Sequence, residues 1–119
     1  MTMQTSTSAP MPEEFAQLIA RRFAALADPM RIRLLDALRD RGEASVGELA
    51  EALGAGQANV SKHLGVLQQQ GVVARRKDGT RAIYSIADPG VLRLCEEVCG
   101  GIRQQLRELE ALLEQGTAV

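Results

Sequence analysis

The sequence has few aromatic residues and few cysteines. Its 119 residues include no tryptophan, one tyrosine and two phenylalanines, fewer than a β-sandwich core or a stacking platform for single-stranded nucleic acid normally contains. Two cysteines are too few for a disulfide scaffold. The chain also lacks an apolar run of about 18 residues and a signal-like N-terminus, so we expect no membrane span and a cytoplasmic location. Its abundant alanine, leucine, glutamate and arginine favour helix instead.

The charge of the chain is small overall but unevenly distributed. The formal net charge is −1 at pH 7, yet residues 57–86 contain five basic side chains and one acidic side chain. A positive segment within an acidic protein favours a polyanionic partner such as nucleic acid. A solvated hairpin with scattered charges is the alternative interpretation.

Apolar residues at helical spacing predict two helices before residue 42. Pro12 can begin the first helix, while Asp28 and Pro29 can cap and begin the second, which should end before Gly42. The second helix is expected to bury three residues on its inner face: Ile32, Leu35 and Leu38.

Two more helices are predicted on either side of a short glycine-containing turn. Ser45 and Glu48 have the spacing of a capping box at the start of the third helix. Residues 54–56 (GAG) allow a sharp bend, and a fourth helix follows from Gln57 to about Gln70. Its predicted buried stripe consists of Val60, Leu64 and Leu67.

After residue 71 the spacing of apolar residues changes from helical to alternating. Residues 72–77 and 81–86 flank Asp78 and Gly79, a strong hairpin signal, and a last helix should begin near residues 88–89. Helix, turn, helix and basic hairpin is the order of a winged helix-turn-helix. The predicted fold is mainly α with a small β-hairpin wing, in the order α-α-α-α-β-β-α. The predicted organisation is a flexible tail at 1–12, a single domain at 13–115 and a C-terminal tail at 116–119.

The outward face of the fourth helix suits insertion into the major groove. It carries no acidic residue, and its side chains are mostly small or hydrogen-bonding. Gln57, Asn59 and Ser61 can reach base edges or phosphates, and Lys62 can neutralise a phosphate. A solvated amphipathic helix is the alternative. In the hairpin, three cations are predicted to cluster near the tip, with Arg76 on the opposite face: Arg75, Lys77 and Arg81.

The last helix contains a strict heptad seam, which is typical of helix–helix packing and predicts dimerisation. The seam residues are spaced alternately three and four apart: Leu92, Cys95, Cys99, Ile102, Leu106, Leu109 and Leu113. Cys95 and Cys99 both lie on this seam, four residues apart, so their thiols share a helix face. They can bind a thiophilic metal or metalloid, such as As(III), Cd(II) or Cu(I), or respond to an oxidant. Alternatively they are small apolar fillers at a close helix crossing beside Gly100 and Gly101.

Taken together, these segments resemble the ArsR/SmtB family of winged-helix transcriptional regulators. The resemblance covers roughly residues 15–113 and implies a homodimer, formed through the first and last helices, that binds an operator and usually represses until an inducer binds. It also places Ser61 and His63 among the DNA-contacting residues, although His63 lies close enough to the buried stripe to be structural instead. The matching stretches are 23–35 (FAALADPMRIRLL), 47–54 (GELAEALG), 57–64 (QANVSKHL) and 78–84 (DGTRAIY).

The sequence departs from the metal-sensing members of that family. Residues 43–48 (EASVGE), near the start of the third helix, contain no cysteine, and the last helix lacks the Asp/His and His/Glu pairs of the zinc-sensing type. We therefore do not expect zinc or nickel sensing at those sites, and no cofactor is required. A thiophilic metal or metalloid inducer at Cys95 and Cys99 is one hypothesis. The other is a regulator with no small-molecule site that acts constitutively or is controlled by a partner protein.

The sequence thus predicts a DNA-binding repressor and no enzyme, because it shows neither a catalytic motif nor a phosphate-binding loop. Its expected partners are an operator duplex and a second copy of the chain. The candidate DNA-binding residues are Gln57, Ala58, Asn59, Ser61, Lys62, His63, Arg75, Arg76, Lys77 and Arg81. The candidate dimer-interface residues are Phe15, Leu18, Ile19, Leu92, Cys95, Cys99, Ile102, Leu106, Leu109 and Leu113.

Overall fold

The computed structural model describes residues 9–117, so positions 1–8 and 118–119 of the predicted tails lie outside the described residues. The chain divides into two compact units, the first ending at Ala87 and the second beginning at Asp88. The mainly α fold with a small β wing is confirmed, with one additional strand. In chain order the elements are α1 (Glu13–Leu26), α2 (Pro29–Arg41), β1 (Glu43–Ser45), α3 (Val46–Leu53), α4 (Gln57–Gln69), β2 (Val73–Asp78), β3 (Arg81–Ile86) and α5 (Pro89–Thr117).

The junction between α1 and α2 is fixed by the predicted cap. Asp28 Oδ1 accepts hydrogen bonds from the backbone amides of Met30, at 2.8 Å, and Arg31, at 3.2 Å. Pro29 occupies the first helical turn, where its missing N–H costs nothing. Burial on its own would raise the pKa of Asp28, but these backbone hydrogen bonds and the nearby positive charge lower it overall. The carboxylate therefore stays ionised and holds the start of α2.

The buried face of α2 differs from the prediction. Leu34, Leu35 and Leu38 are buried, whereas Ile32 is 48% exposed. At 100° per residue, Ile32 lies about 115° from the centre of the three leucines. The predicted spacing included two of the three buried residues but began at the wrong position.

The strand β1 is not predicted by the sequence pattern. It pairs with β3 in an antiparallel sheet of order β1-β3-β2, with Ala44 opposite Tyr84. Three residues are too few to show the alternation that marks a strand, and alanine has a low β propensity. The strand forms because β3 offers it a partner, an interaction between distant parts of the sequence.

The predicted capping box at the start of α3 is confirmed. Ser45 Oγ accepts from the Glu48 amide at 3.1 Å, and Glu48 Oε1 accepts from the Ser45 amide at 2.8 Å. The backbone hydrogen bond from Ser45, followed by its side-chain hydrogen bond, holds the pKa of Glu48 below its usual value. Ser45 is also the last residue of β1, so one side chain marks the change from strand to helix.

Replacing Ser45 with alanine is expected to lower the free energy of unfolding by about 1 kcal/mol, because the Glu48 amide loses its acceptor. Urea denaturation followed by circular dichroism measures this. Ser61→Ala is the matched control, since Ser61 is exposed on α4 and caps no helix. Its effect should stay within about 0.5 kcal/mol. Equal losses in the two variants would contradict a capping role.

The core of the first unit lies beneath α4. The predicted stripe of this helix, Val60, Leu64 and Leu67, is completely buried, as the sequence predicted. α4 packs against α2 and α3, and it also contacts α1 and β2. Its remaining surface is thereby left for solvent or a ligand.

The hairpin forms as predicted, but its loop is one residue shorter. Asp78 pairs with Arg81 and belongs to β2, so the loop has two residues, Gly79 and Thr80, and not the three that the predicted strands left between them. Gly79 has φ 66°, a conformation that favours glycine. Glycine at the first loop position followed by a residue with negative φ is the type II′ pattern, which also matches the twist of paired strands.

The second unit consists of α5, which continues three residues beyond the predicted end at Glu114. At the N-terminus of α5, Asp88 Oδ1 accepts a hydrogen bond from the Gly90 amide at 3.0 Å. The helix is unbroken through Gly100 and Gly101. Within residues 9–117, no helix combines the length and hydropathy needed to cross a membrane.

Candidate nucleic-acid interface

The turn between α3 and α4 sets the direction in which α4 leaves the core. Gly54 has φ 62° and ψ 38°, the left-handed conformation that ends α3, and Gly56 is extended and precedes α4. The Ala55 amide donates to the carbonyl oxygen of Ala50 at 2.9 Å and closes the turn. A three-residue link of this kind lets one helix cross a DNA backbone while the next enters the groove.

The outward face of α4 is open along its first two turns. None of these side chains is acidic, and Lys62 forms no ion pair in the described part of the chain. Gly65 has open space beside it, so a backbone or a sugar could approach closely there. The exposed predicted DNA-binding residues on this helix are Gln57, Ala58, Asn59, Ser61 and Lys62.

His63 is placed differently from these residues. Its side chain is only 12% exposed and is directed toward α2. Nδ1 lies 3.0 Å from Nη1 of Arg31 and 3.9 Å from Oδ1 of Asp28. Of the two roles that the sequence left open for His63, this geometry supports the structural one.

The register of the wing separates its four cations into two pairs. Arg75 is opposite Tyr84 and Lys77 opposite Ala82, so these two cations share one face of the sheet. Arg76 and Arg81 lie on the other face. The prediction that Arg81 clusters with Arg75 and Lys77 is therefore wrong. The predicted strands, 72–77 and 81–86, leave three residues between them, which would place Arg81 opposite Lys77. The observed loop has two residues, so Arg81 lies opposite Asp78 and on the other face of the sheet.

The two faces of the wing also differ in their counter-charges. Arg76 Nη2 lies 2.7 Å from Glu43 Oε1, and Arg81 Nη2 lies 3.4 Å from Glu48 Oε1. The hydrogen bond that Arg76 donates to Glu43 raises the pKa of Arg76 above its ordinary value. By contrast, the exposed cations of the other face form no ion pair among residues 9–117; they are Arg75 and Lys77.

The acidic partners of the wing were not identified from the sequence. Glu43 reaches Arg76 because β1 pairs with β3, and Glu48 reaches Arg81 from the first turn of α3. No local sequence signal connects residues so far apart. The capping-box glutamate was recognised, but its second role beside the wing depends on tertiary structure.

Each unit exposes an apolar helix face in the single chain. On α1, Phe15 and Leu18 are more than half exposed, while Ile19 is partly exposed. On α5, Leu92 is partly exposed, and four seam residues are more than half exposed: Ile102, Leu106, Leu109 and Leu113. Exposed apolar surface on this scale is typical of an interaction site.

The two cysteines lie on the same face of α5. Burial raises the pKa of the partly exposed Cys95, whereas Cys99 is exposed, and both are free thiols. Within residues 9–117, no three histidine, cysteine or acidic side chains are grouped closely enough to hold a metal ion. Two thiols are an incomplete set for a tetrahedral soft-metal site, so the residues of one chain do not fit such a site by themselves.

Comparison with known proteins decides the family. A family model described as a helix-turn-helix domain matches residues 26–76. The HTH-type transcriptional regulator Rv0081 of Mycobacterium tuberculosis is 42% identical over 103 residues, which cover 86% of this chain and 90% of that protein. A transcriptional repressor SmtB homolog of Synechocystis is 40% identical over 89 residues, covering 75% and 67%. The chain belongs to the ArsR/SmtB family. It is a DNA-binding transcriptional regulator of the repressor type.

A solved structure gives the same result for the fold of this ArsR/SmtB regulator. The homodimeric winged helix-turn-helix domain of Mb0332 from Mycobacterium bovis, described as a possible ArsR-family regulator, superimposes with a TM-score of 0.72. It is 32% identical and covers 86% of this chain and 95% of that one. The winged helix-turn-helix fold predicted from the sequence is thus confirmed.

Proposed function

We propose that the chain acts as a homodimer that inserts α4 of each subunit into the major groove of an operator and places the wing over neighbouring phosphates. The observation that carries this proposal is the combination of an open, non-acidic α4 face with two unpaired cations on one face of the wing. The net charge of the chain is only −1, so its total charge does not favour a duplex. The local concentration of cations on α4 and on one face of the wing does.

The side chains divide into two roles. Gln57 and Asn59, at the start of α4, have amide groups that can pair with base edges, and the hydroxyl of Ser61 can bond to either bases or phosphates. Lys62, Arg75 and Lys77 neutralise phosphates, which positions the helix but carries no sequence information. Arg76 and Arg81 contribute less, because Glu43 and Glu48 already balance their charges.

Self-association is proposed from the exposed apolar faces of α1 and α5. The seam of α5 repeats at heptad spacing, and a leucine more than half exposed to water favours burial against a partner helix. A homodimer has two reading helices related by a two-fold axis. It therefore requires an operator with two similar half-sites about one helical turn apart.

The dependence of binding on salt tests this proposal. Duplexes enriched by the protein from a random pool should contain an inverted repeat. The affinity for the enriched duplex should fall with a log–log salt slope of about −5, because three phosphate-neutralising cations per subunit, six per dimer, each contribute about 0.9. Fluorescence anisotropy at several salt concentrations measures the slope. Binding that is insensitive to salt, or a pool without enriched sequences, would refute the proposal.

A further inference from the structure

The only histidine of the chain lies at the point where three helices meet. His63 is on the flank of α4, about 60° from its buried stripe. Its ring contacts Arg31, in the first turn of α2, through the 3.0 Å approach of Arg31 Nη1 to Nδ1. Asp28, the cap of α2, lies 3.9 Å from the same nitrogen.

Arg31 is itself held firmly in place. Its Nε donates to the carbonyl oxygen of Ala25, in the last turn of α1, at 2.6 Å. Its backbone amide donates to the Asp28 carboxylate at 3.2 Å. One guanidinium therefore links the end of α1 to the side of α4. A second orientation of Arg31 would leave the Ala25 carbonyl, at the end of a helix, without this donor.

The contact also determines the form of the imidazole. A guanidinium can only donate hydrogen bonds, so Nδ1 of His63 must accept. In this arrangement the proton of the ring is on Nε2. Because Nδ1 is occupied by Arg31, only Nε2 remains available for any other contact.

We propose that His63 is a positioning residue of the DNA-binding helix and not one of its DNA contacts. Held by Arg31, it fixes the rotation of α4 about its axis, so that Gln57, Asn59 and Ser61 face the groove together. The inference rests on the proposed function of α4. The three buried aliphatic side chains of α4 set which face is turned to the core, and a hydrogen bond at its flank adds a directional constraint on its rotation.

Two amide substitutions separate the two roles of the ring. In His63→Asn the side-chain oxygen replaces Nδ1 and can accept from Arg31, whereas in His63→Gln the amide group replaces the Nε2 end. If His63 positions α4, Asn should keep the operator affinity within about twofold, and Gln should lower it about tenfold, the cost of losing a hydrogen bond to a charged group. If His63 contacts DNA through Nε2, the order is reversed, and that result would overturn the proposal.

A spectroscopic measurement on the unmodified protein gives an independent result. With one histidine per chain, the imidazole region of a ¹⁵N–¹H correlation spectrum contains signals of His63 alone. At pH 8 they should show the Nε2–H tautomer in the free protein and the same shifts after addition of the enriched operator duplex. A large change in the Nε2 shift on DNA binding would contradict the proposal.

A double-mutant cycle completes the test. Arg31→Met should reduce the affinity at least as much as His63→Gln, because it also removes the donor of the Ala25 carbonyl. The double variant should lose little more than Arg31→Met alone, because both substitutions break the bond between Arg31 and His63. Additive losses would contradict the proposal. Urea denaturation of each variant separates loss of folding from loss of positioning. If the unmodified protein binds no duplex, the proposed function fails. If it binds but the variants behave otherwise, only the role of His63 fails.

Discussion

Replacement of both Arg75 and Lys77 by alanine is expected to reduce the affinity for operator DNA about a thousandfold at about 0.15 M salt. These cations are exposed and unpaired within residues 9–117, so each is available for a phosphate. A dimer loses four such contacts, which should reduce the salt slope by about 3.6, from about −5 to about −2. If the two proteins bind equally at about 1 M salt, this difference in slope makes their affinities differ by a factor of about 10³ at about 0.15 M. Anisotropy titrations at several salt concentrations measure both quantities.

The opposite face of the wing provides a matched control. Arg76→Ala combined with Arg81→Ala removes the same number of positive charges, but both side chains are already ion-paired with glutamates. We expect this variant to keep most of the salt slope and to lose much less affinity. Since phosphate contacts carry no sequence information, neither pair should alter the base preference. Equal losses for the two pairs would show that the register of the wing does not select the DNA-facing cations.

Introducing glutamate at both Leu106 and Leu109 is expected to convert the protein into a monomer and to weaken operator binding by at least about 10³-fold. Both leucines are on the heptad seam of α5 and more than half exposed in the single chain. A carboxylate buried in an apolar helix interface has no partner for its charge, so association is disfavoured. A monomer then binds one half-site and loses about half of the binding free energy. Analytical ultracentrifugation measures the mass, and anisotropy measures the affinity.

The control for this variant lies on the other side of the same helix. Ala111→Glu with Gln115→Glu adds the same two carboxylates at exposed positions almost opposite the seam. It should remain dimeric and bind with a small loss caused by the added negative charge. Circular dichroism shows whether either variant loses helix. If the seam variant keeps the dimer mass, a different surface must hold the two copies together.

Most of the helix boundaries and the buried face of α4 could be predicted from interactions between residues close together in sequence. The cap at Asp28, the capping box at Ser45 and the buried stripe of α4 each depend on residues within one or two turns, so their pattern is visible in the sequence. The predicted burial of Ile32 was wrong because the spacing of apolar residues shows that a helix is amphipathic more reliably than it shows which side is buried. When leucine and isoleucine occur on several sides of a helix, tertiary packing decides which side is buried.

The candidate site depended more on long-range contacts. The open face of α4 could be predicted from helical geometry, but the two faces of the wing could not. Assigning Arg81 needed the register of β2 with β3, because a loop of two residues instead of three moves Arg81 to the opposite face. Arg31, the partner of His63, is 32 positions away in sequence. Whether the His63 side chain faces the groove or the core therefore depends on how the helices pack and could not be predicted from the sequence.

The glutamates beside the wing have a consequence for how the regulator searches a genome. Glu43 and Glu48 weaken the attraction of the wing for any polyanion, whatever its sequence. A repressor with weaker hold on random DNA dissociates from it sooner, and so spends less of its time at the vast excess of non-target sites. The same two carboxylates that complete a sheet edge and a helix cap therefore shorten each stay on non-target DNA, while the choice of sequence is left to the contacts of α4 with the bases.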